Sequence, residues 1–222
     1  MAPRKKAPDA AQPGVIPKLE IENMLVTIEG MSPLIVHAFG QKKIDDIEHT
    51  QTGKPSVGRK RRNPFSDFVN GLHWMTPMPA FPFDDASQEE LMEIFMANVK
   101  HCKFGVRADG VKASMVTACT MLNIHKTDAR KWFFINEELL QIEGSIPELR
   151  RDTVRLASGV ADLRYRPQFT DWQIHVPISF NARMITHDQI ANIINAAGFS
   201  VGLCEWRPEK DGSFGRFRLM AE

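Results

Sequence analysis

Residues 172–180 alternate strictly: Trp172, Ile174, Val176, Ile178 and Phe180 are apolar, and Gln173, His175, Pro177 and Ser179 separate them. Only a strand puts every second side chain on one face, so this stretch predicts a half-buried strand. The residues beyond Phe180 narrow the fold further. Thr186 with Gln189 three residues on is a capping box. Ile190, Ile193, Ile194 and Ala197 then share one helical face, and Gly198 stands where a left-handed C-cap is wanted. A loop with Gly202, Gly212 and Gly215 leads to a last strand, in which Phe217 and Leu219 alternate with Arg216 and Arg218.

Glycines let a backbone turn sharply and approach a ligand closely. Arg207, Lys210, Arg216 and Arg218 surround these glycines with positive charge. The arrangement suits a polyanion passing over a sheet or a turn. A surface hairpin whose glycines only permit the turn is the alternative.

The formal net charge of +1 over 222 residues conceals a segregation along the chain. Residues 1–18 hold Arg4, Lys5, Lys6 and Lys18 among Ala and Pro, and are expected to form a disordered basic tail. No apolar run follows those charges, so the tail is not read as a secretory signal. In residues 41–63, Lys42, Lys43, Lys54, Arg59, Lys60, Arg61 and Arg62 outnumber Asp45, Asp46 and Glu48. Gly53, Pro55 and Gly58 break any periodicity there, so this reads as a long basic insertion. Its functional reading is nucleic-acid contact; a solvated charge run or a nuclear-import-like address is the plainer one. From Pro147 to Pro167 the chain is basic again, with Arg150, Arg151, Arg155, Arg164 and Arg166 against Glu148, Asp152 and Asp162. Leu163 and Tyr165 alternate with Arg164 and Arg166, which predicts a hairpin with a cationic face.

Elsewhere the reading is of ordinary elements. Leu19 to Glu29 predicts a first strand whose alternation slips phase near Asn23, the mark of a bulge. Residues 63–83, rich in Pro and aromatics, predict an irregular segment packed on the core. Ser87 with Glu90 caps a helix from Gln88 to about Lys100. Asp109 is expected to cap a helix buried along Val111, Met115, Ala118, Cys119 and Leu122. Lys112 would then lie in its first turn, where the helix dipole disfavours a cation and a phosphate would relieve the conflict. Trp132 to Ile135 and Leu139 to Ile142 predict a hairpin around Asn136.

Several chemistries find no support. The chain lacks a P-loop, a dinucleotide fingerprint and a Gly-x-Ser-x-Gly elbow. Its three cysteines and seven histidines do not fall at zinc spacings, so no metal and no cofactor is implied. Cys102, Cys119 and Cys204 are an odd number without paired spacing, as expected of reduced thiols in a cytoplasmic protein. No stretch approaches the length of a transmembrane helix. His37, after the first strand and beside the basic insertion, is the one candidate catalyst: histidine exchanges protons near neutral pH and can serve metal-free RNA cleavage. A packed, hydrogen-bonded His is the competing reading.

Three stretches resemble the RAMP superfamily, the ferredoxin-like, RNA-recognition-motif-fold proteins of CRISPR effector complexes, above all the backbone subunits that line up along guide RNA. They are Gly30-Met31-Ser32-Pro33-Leu34, the helix with Gly110-Val111-Lys112-Ala113-Ser114, and the closing strand–helix–glycine-rich loop–strand. The likeness is strongest over residues 19–40 and 172–219 and places Gly198, Gly202, Gly212 and Gly215 at the family's glycine-rich loop. The whole chain also looks like proteins encoded by tailed phages that share the turn from Glu205 to Lys210, which implies a phage protein of the host cytoplasm.

Residues and resemblance together give one expectation. Residues 19–222 should form a single α+β domain on a ferredoxin-like antiparallel sheet, with helices on one face and the basic insertion after the first strand. Its function should be non-catalytic binding of single-stranded RNA or DNA, with side-by-side assembly of copies along the strand implied by the resemblance. The rivals are a metal-independent endoribonuclease using His37 and an interaction or inhibitor module for an acidic protein.

Overall fold

A computed structural model describes residues 18–38, 47–48, 51–52, 62–155 and 158–220. Its strands are β1 (Ile21–Gly30), β2 (Leu34–Ile35), β3 (His73–Trp74), β4 (Phe104–Arg107), β5 (Phe133–Phe134), β6 (Leu139–Gly144), β7 (Glu148–Arg155), β8 (Ala161–Phe169), β9 (Trp172–Asn181) and β10 (Phe217–Leu219). Its α-helices are α1 (Pro64–Asn70), α2 (Gln88–Asn98), α3 (Ala108–Cys119), α4 (Lys126–Trp132) and α5 (His187–Ser200). The protein is α+β, with two antiparallel sheets. One has seven strands, ordered β10-β1-β9-β6-β4-β3 with β5 also on β9; the other has three, ordered β2-β8-β7.

The alternating stretch does form the central strand. Trp172, Ile174, Val176, Ile178 and Phe180 of β9 are all buried. The buried stripe of α5 (Ile190, Ile193, Ile194, Ala197) belongs to the same core cluster, and α5 packs on α3. Both predicted capping boxes are present, Thr186 with Gln189 and Ser87 with Glu90. Phe65, Phe68, Trp74, Phe95 and Phe104 meet edge to face or tilted, which anchors the aromatic segment and α1 in the core. That core is continuous across both sheets, since Leu34, Phe68 and Phe169 share it with Ile28 and Ile174.

Several local expectations need correction. Residues 63–83 are not irregular throughout, since Pro64–Asn70 form α1, and the N-cap of α3 is Arg107 and not Asp109. Asn23 carries no bulge: β1 pairs β9 without a break from Ile21 opposite Asn181 to Glu29 opposite Gln173. The apparent phase slip arises because Ile21 and Leu25 are apolar yet lie exposed, while Val26 and Ile28 point into the core. Gly198 does not end α5; the helix runs to Ser200, and Gly202 is the first residue beyond it in the left-handed region. Residues 133–134 and 139–144 are not a hairpin. Both pair antiparallel with β9, one after the other along the same edge, so they form one interrupted strand. Finally, α3 starts at Ala108, so Lys112 lies beyond its first turn and the dipole conflict does not arise.

The predicted hairpin of residues 147–167 is β7–β8, in register from Glu148 opposite Gln168 to Arg155 opposite Ala161. It belongs to the smaller sheet, which the sequence pattern did not announce. Among the described residues no helix is long and apolar enough to cross a membrane.

Candidate nucleic-acid interface

Directly opposed residues of an antiparallel pair project from the same face. One face of the β7–β8 hairpin therefore carries Arg150, Asp152, Asp162, Arg164, Arg166 and Gln168. Here the arginines are already engaged. Arg150 Nε lies 2.8 Å from Asp152 Oδ1, and Arg164 Nε lies 2.9 Å from Asp162 Oδ2. Arg166, whose side chain is only 9% exposed, lies 3.8 Å from Asp152 and 3.4 Å from Glu205. Its Nε and Nη1 find no hydrogen-bond partner among the described residues.

The turn after α5 covers this charged face. Glu205 is delivered to it by a backbone hydrogen bond from its own N–H to the Ile35 carbonyl. Cys204 and Trp206 on either side are both left-handed, at φ 60° and 54°. Glu205 reaches Arg166 and stands 3.6 Å from His37 Nδ1. The contact with His37 holds the Glu205 carboxyl below its ordinary value, opposed by burial and helped by the charges of Arg166 and Arg207. Burial, with Glu205 next door, pushes the Cys204 thiol up to about 12, which removes it as a nucleophile near neutral pH.

The remaining predicted cations do not share that face. Arg207 is chelated by Glu209 and donates to the Cys204 carbonyl. Arg218 pairs with Glu29 at 2.6 Å on the exposed side of the seven-stranded sheet. Arg216 lies over the Phe199 ring, and Lys112 over Phe134 at 3.8 Å. Lys210 is exposed in a short 3-10 turn. Lys42, Lys43, Lys54, Arg59, Lys60 and Arg61 lie outside the described residues. The four glycines are packed against other parts of this chain, three of them on its backbone. A Cβ at Gly198 would overlap the Phe217 carbonyl, at Gly212 that of Trp206, and at Gly215 that of Leu203, while Gly202 abuts Pro208.

The opposite face of the hairpin is different in kind. It carries Arg151, Thr153 and Arg155 on β7, with Ala161, Leu163 and Tyr165 on β8, and the hairpin adds no carboxylate to it. Arg151 sits directly across from Tyr165, and Arg151 and Arg155 are exposed with no ion pair among the described residues. Arg62, where the basic insertion re-enters the fold, stacks over the Tyr165 ring at 5.7 Å and donates to the Leu163 carbonyl. It also pairs with Asp67 and Asp162. On the other side of the insertion, the Ala38 N–H donates to the Gly71 carbonyl.

Sequence reasoning chose Arg164 and Arg166 on this hairpin and passed over Arg151 and Arg155. The signal that separates them is parity, since Asp152 and Asp162 fall in step with Arg150, Arg164 and Arg166. Among the described residues no three His, Cys, Asp or Glu side chains converge so as to hold a metal ion. No family model matches the chain, and no curated protein matches its sequence.

Proposed function

We propose that the protein binds single-stranded nucleic acid without cleaving it, through the Arg151–Arg155 face of the β7–β8 hairpin together with the basic insertion that joins the fold at Arg62. One observation carries this reading: that face offers two exposed guanidinium groups beside an aromatic ring and no carboxylate of its own. A phosphate backbone needs unengaged cations, because an arginine already paired must lose its carboxylate before it gains a phosphate. Tyr165 holds the Arg62 guanidinium over its ring beside these two arginines. Arg164, Arg166, Arg207 and Arg218, paired within the chain, serve the fold first.

The finer fold reading supports the same class. We take β10-β1-β9-β6, with α3 before β6 and α5 between β9 and β10, as a ferredoxin-like unit elaborated by β4, β3 and the smaller sheet. The strand order and the antiparallel pairings favour it. The exposed face of its central strands carries Leu25, Thr27, His175 and Pro177 and no Phe, Tyr or Trp ring, which favours the hairpin over that sheet as the binding surface.

Titration of labelled single-stranded RNA and DNA at low and moderate salt tests the proposal. Replacing Arg151 and Arg155 together by Glu should weaken binding by about tenfold or more, about 1.4 kcal/mol. The pair Arg207→Gln and Arg218→Gln should stay within about twofold of wild type. The reverse ranking, or wild-type binding no stronger than that of an arbitrary basic surface, overturns the reading in favour of a protein-interaction module. If strands are cut in the presence of chelator and His37→Ala stops the cutting, the His37 ribonuclease replaces it.

A further inference from the structure

Between α3 and α4 lies a cleft of about 250 Å³ that the hairpin reading leaves unused. On α3, Lys112, Ala113 and Val116 line it, one and four residues apart on a helix that turns every 3.6 residues. On α4, Lys126 and Arg130 line it from successive turns. The one carboxylate in the lining, Asp109, is gripped by Arg107, whose Nε and Nη2 donate to it at 3.0 and 2.6 Å. Three cations are left with no carboxylate partner among the described residues. Lys126 Nζ rests 3.3 Å from the Thr117 hydroxyl, and Lys112 Nζ sits over the Phe134 ring.

Lys112 is half-buried, and burial lowers its pKa. A desolvated ammonium without a counter-charge gains from an anion brought beside it. We propose that this cleft binds the phosphomonoester of a nucleotide, the phosphate against Lys112, Lys126 and Arg130, the sugar and base along Ala113 and Val116. The volume lies just below the ~300 Å³ at which small-ligand pockets begin, which suits one nucleotide at most and not a run of them. A terminal phosphate carries more charge than an internal diester, so three cations lining one cleft favour a strand end or a free nucleotide over the middle of a strand. Both sources share this chemistry. The site stands apart from the hairpin, on other elements, and does not depend on it.

The test uses the full chain, with adenosine 5′-monophosphate and adenosine as probes and amide shifts as the site-specific readout. Adenosine monophosphate should shift amides of α3 and α4 and bind about tenfold or more tighter than adenosine. The double variant Lys126→Gln, Arg130→Gln should lose that preference while its thermal midpoint stays put. Arg151→Glu, Arg155→Glu should keep it, so that failure of the hairpin reading and failure of this one are told apart. A strand bearing a 5′-phosphate that outbinds its 5′-hydroxyl twin assigns the site to strand ends. Equal binding of the twins, with the monophosphate preference intact, assigns it to free nucleotides. Equal affinity for monophosphate and adenosine, or a double variant that binds the monophosphate as wild type does, overturns the proposal.

Discussion

Glu205 shows how one side chain ties the turn after α5 to the smaller sheet. Its neighbours Cys204 and Trp206 hold left-handed backbone, which costs non-glycine residues on the order of 1–3 kcal/mol each. The carboxylate offsets that cost by meeting Arg166 and His37 in a place where neither is well hydrated. Its pKa is depressed from an ordinary 4.5, first by His37. A carboxyl whose folded pKa is depressed contributes stability that is present above its unfolded pKa and lost as pH falls through the folded one. Wild type should therefore be more stable than Glu205→Gln near neutrality, and the gap should close on acidification below about pH 4.5. Urea midpoints of the two proteins across that range check it, and a gap that widens in acid would contradict the assigned contacts.

At the scale of elements, strands that alternate were legible in the residues, the three-residue β10 included, and the partners of the shortest ones were not. β9 could be read because all five of its inward residues are apolar and its outward ones are not. The two-residue strands β2, β3 and β5 are too short to show any period, so the second sheet and the interrupted strand along β9 stayed hidden. β1 misled for a different reason: Leu25 is 68% exposed and Ile28 1%, and hydrophobicity alone cannot say which of two apolar sets faces inward. The register makes a sharp prediction. Ile28→Ala should cost about 2–5 kcal/mol, and Leu25→Thr should stay within about 0.5 kcal/mol. Comparable losses in chemical denaturation would mean the strand is turned over. The hairpin site failed in the same way: its arginines were visible, but pairing with Asp152 and Asp162 is a property of faces, and faces need the register.

For the molecule as a whole, the distribution of charge matters more than its sum. Arginines of the hairpin, the turn after α5 and β10 reach different surfaces, and most are neutralised where they stand by Asp152, Asp162, Glu205, Glu209 or Glu29. An internally paired cation releases no counterion when a strand arrives, so it adds nothing to the salt dependence of binding. Arg151 and Arg155 have no such partner among the described residues and each should contribute. For single strands every phosphate neutralised adds about 0.7 to the slope of log affinity against log salt. Replacing both arginines by Gln should thus flatten the slope by about 1.4. Replacing Arg207 and Arg218 should leave the slope unchanged, even if the fold loosens slightly. The comparison needs only affinities at four or five salt concentrations, and it separates a cation that touches phosphate from one that merely raises the local potential. A slope that responds to Arg207 and Arg218 and ignores the hairpin would move the strand to the turn after α5, on the far side of the smaller sheet from Arg151.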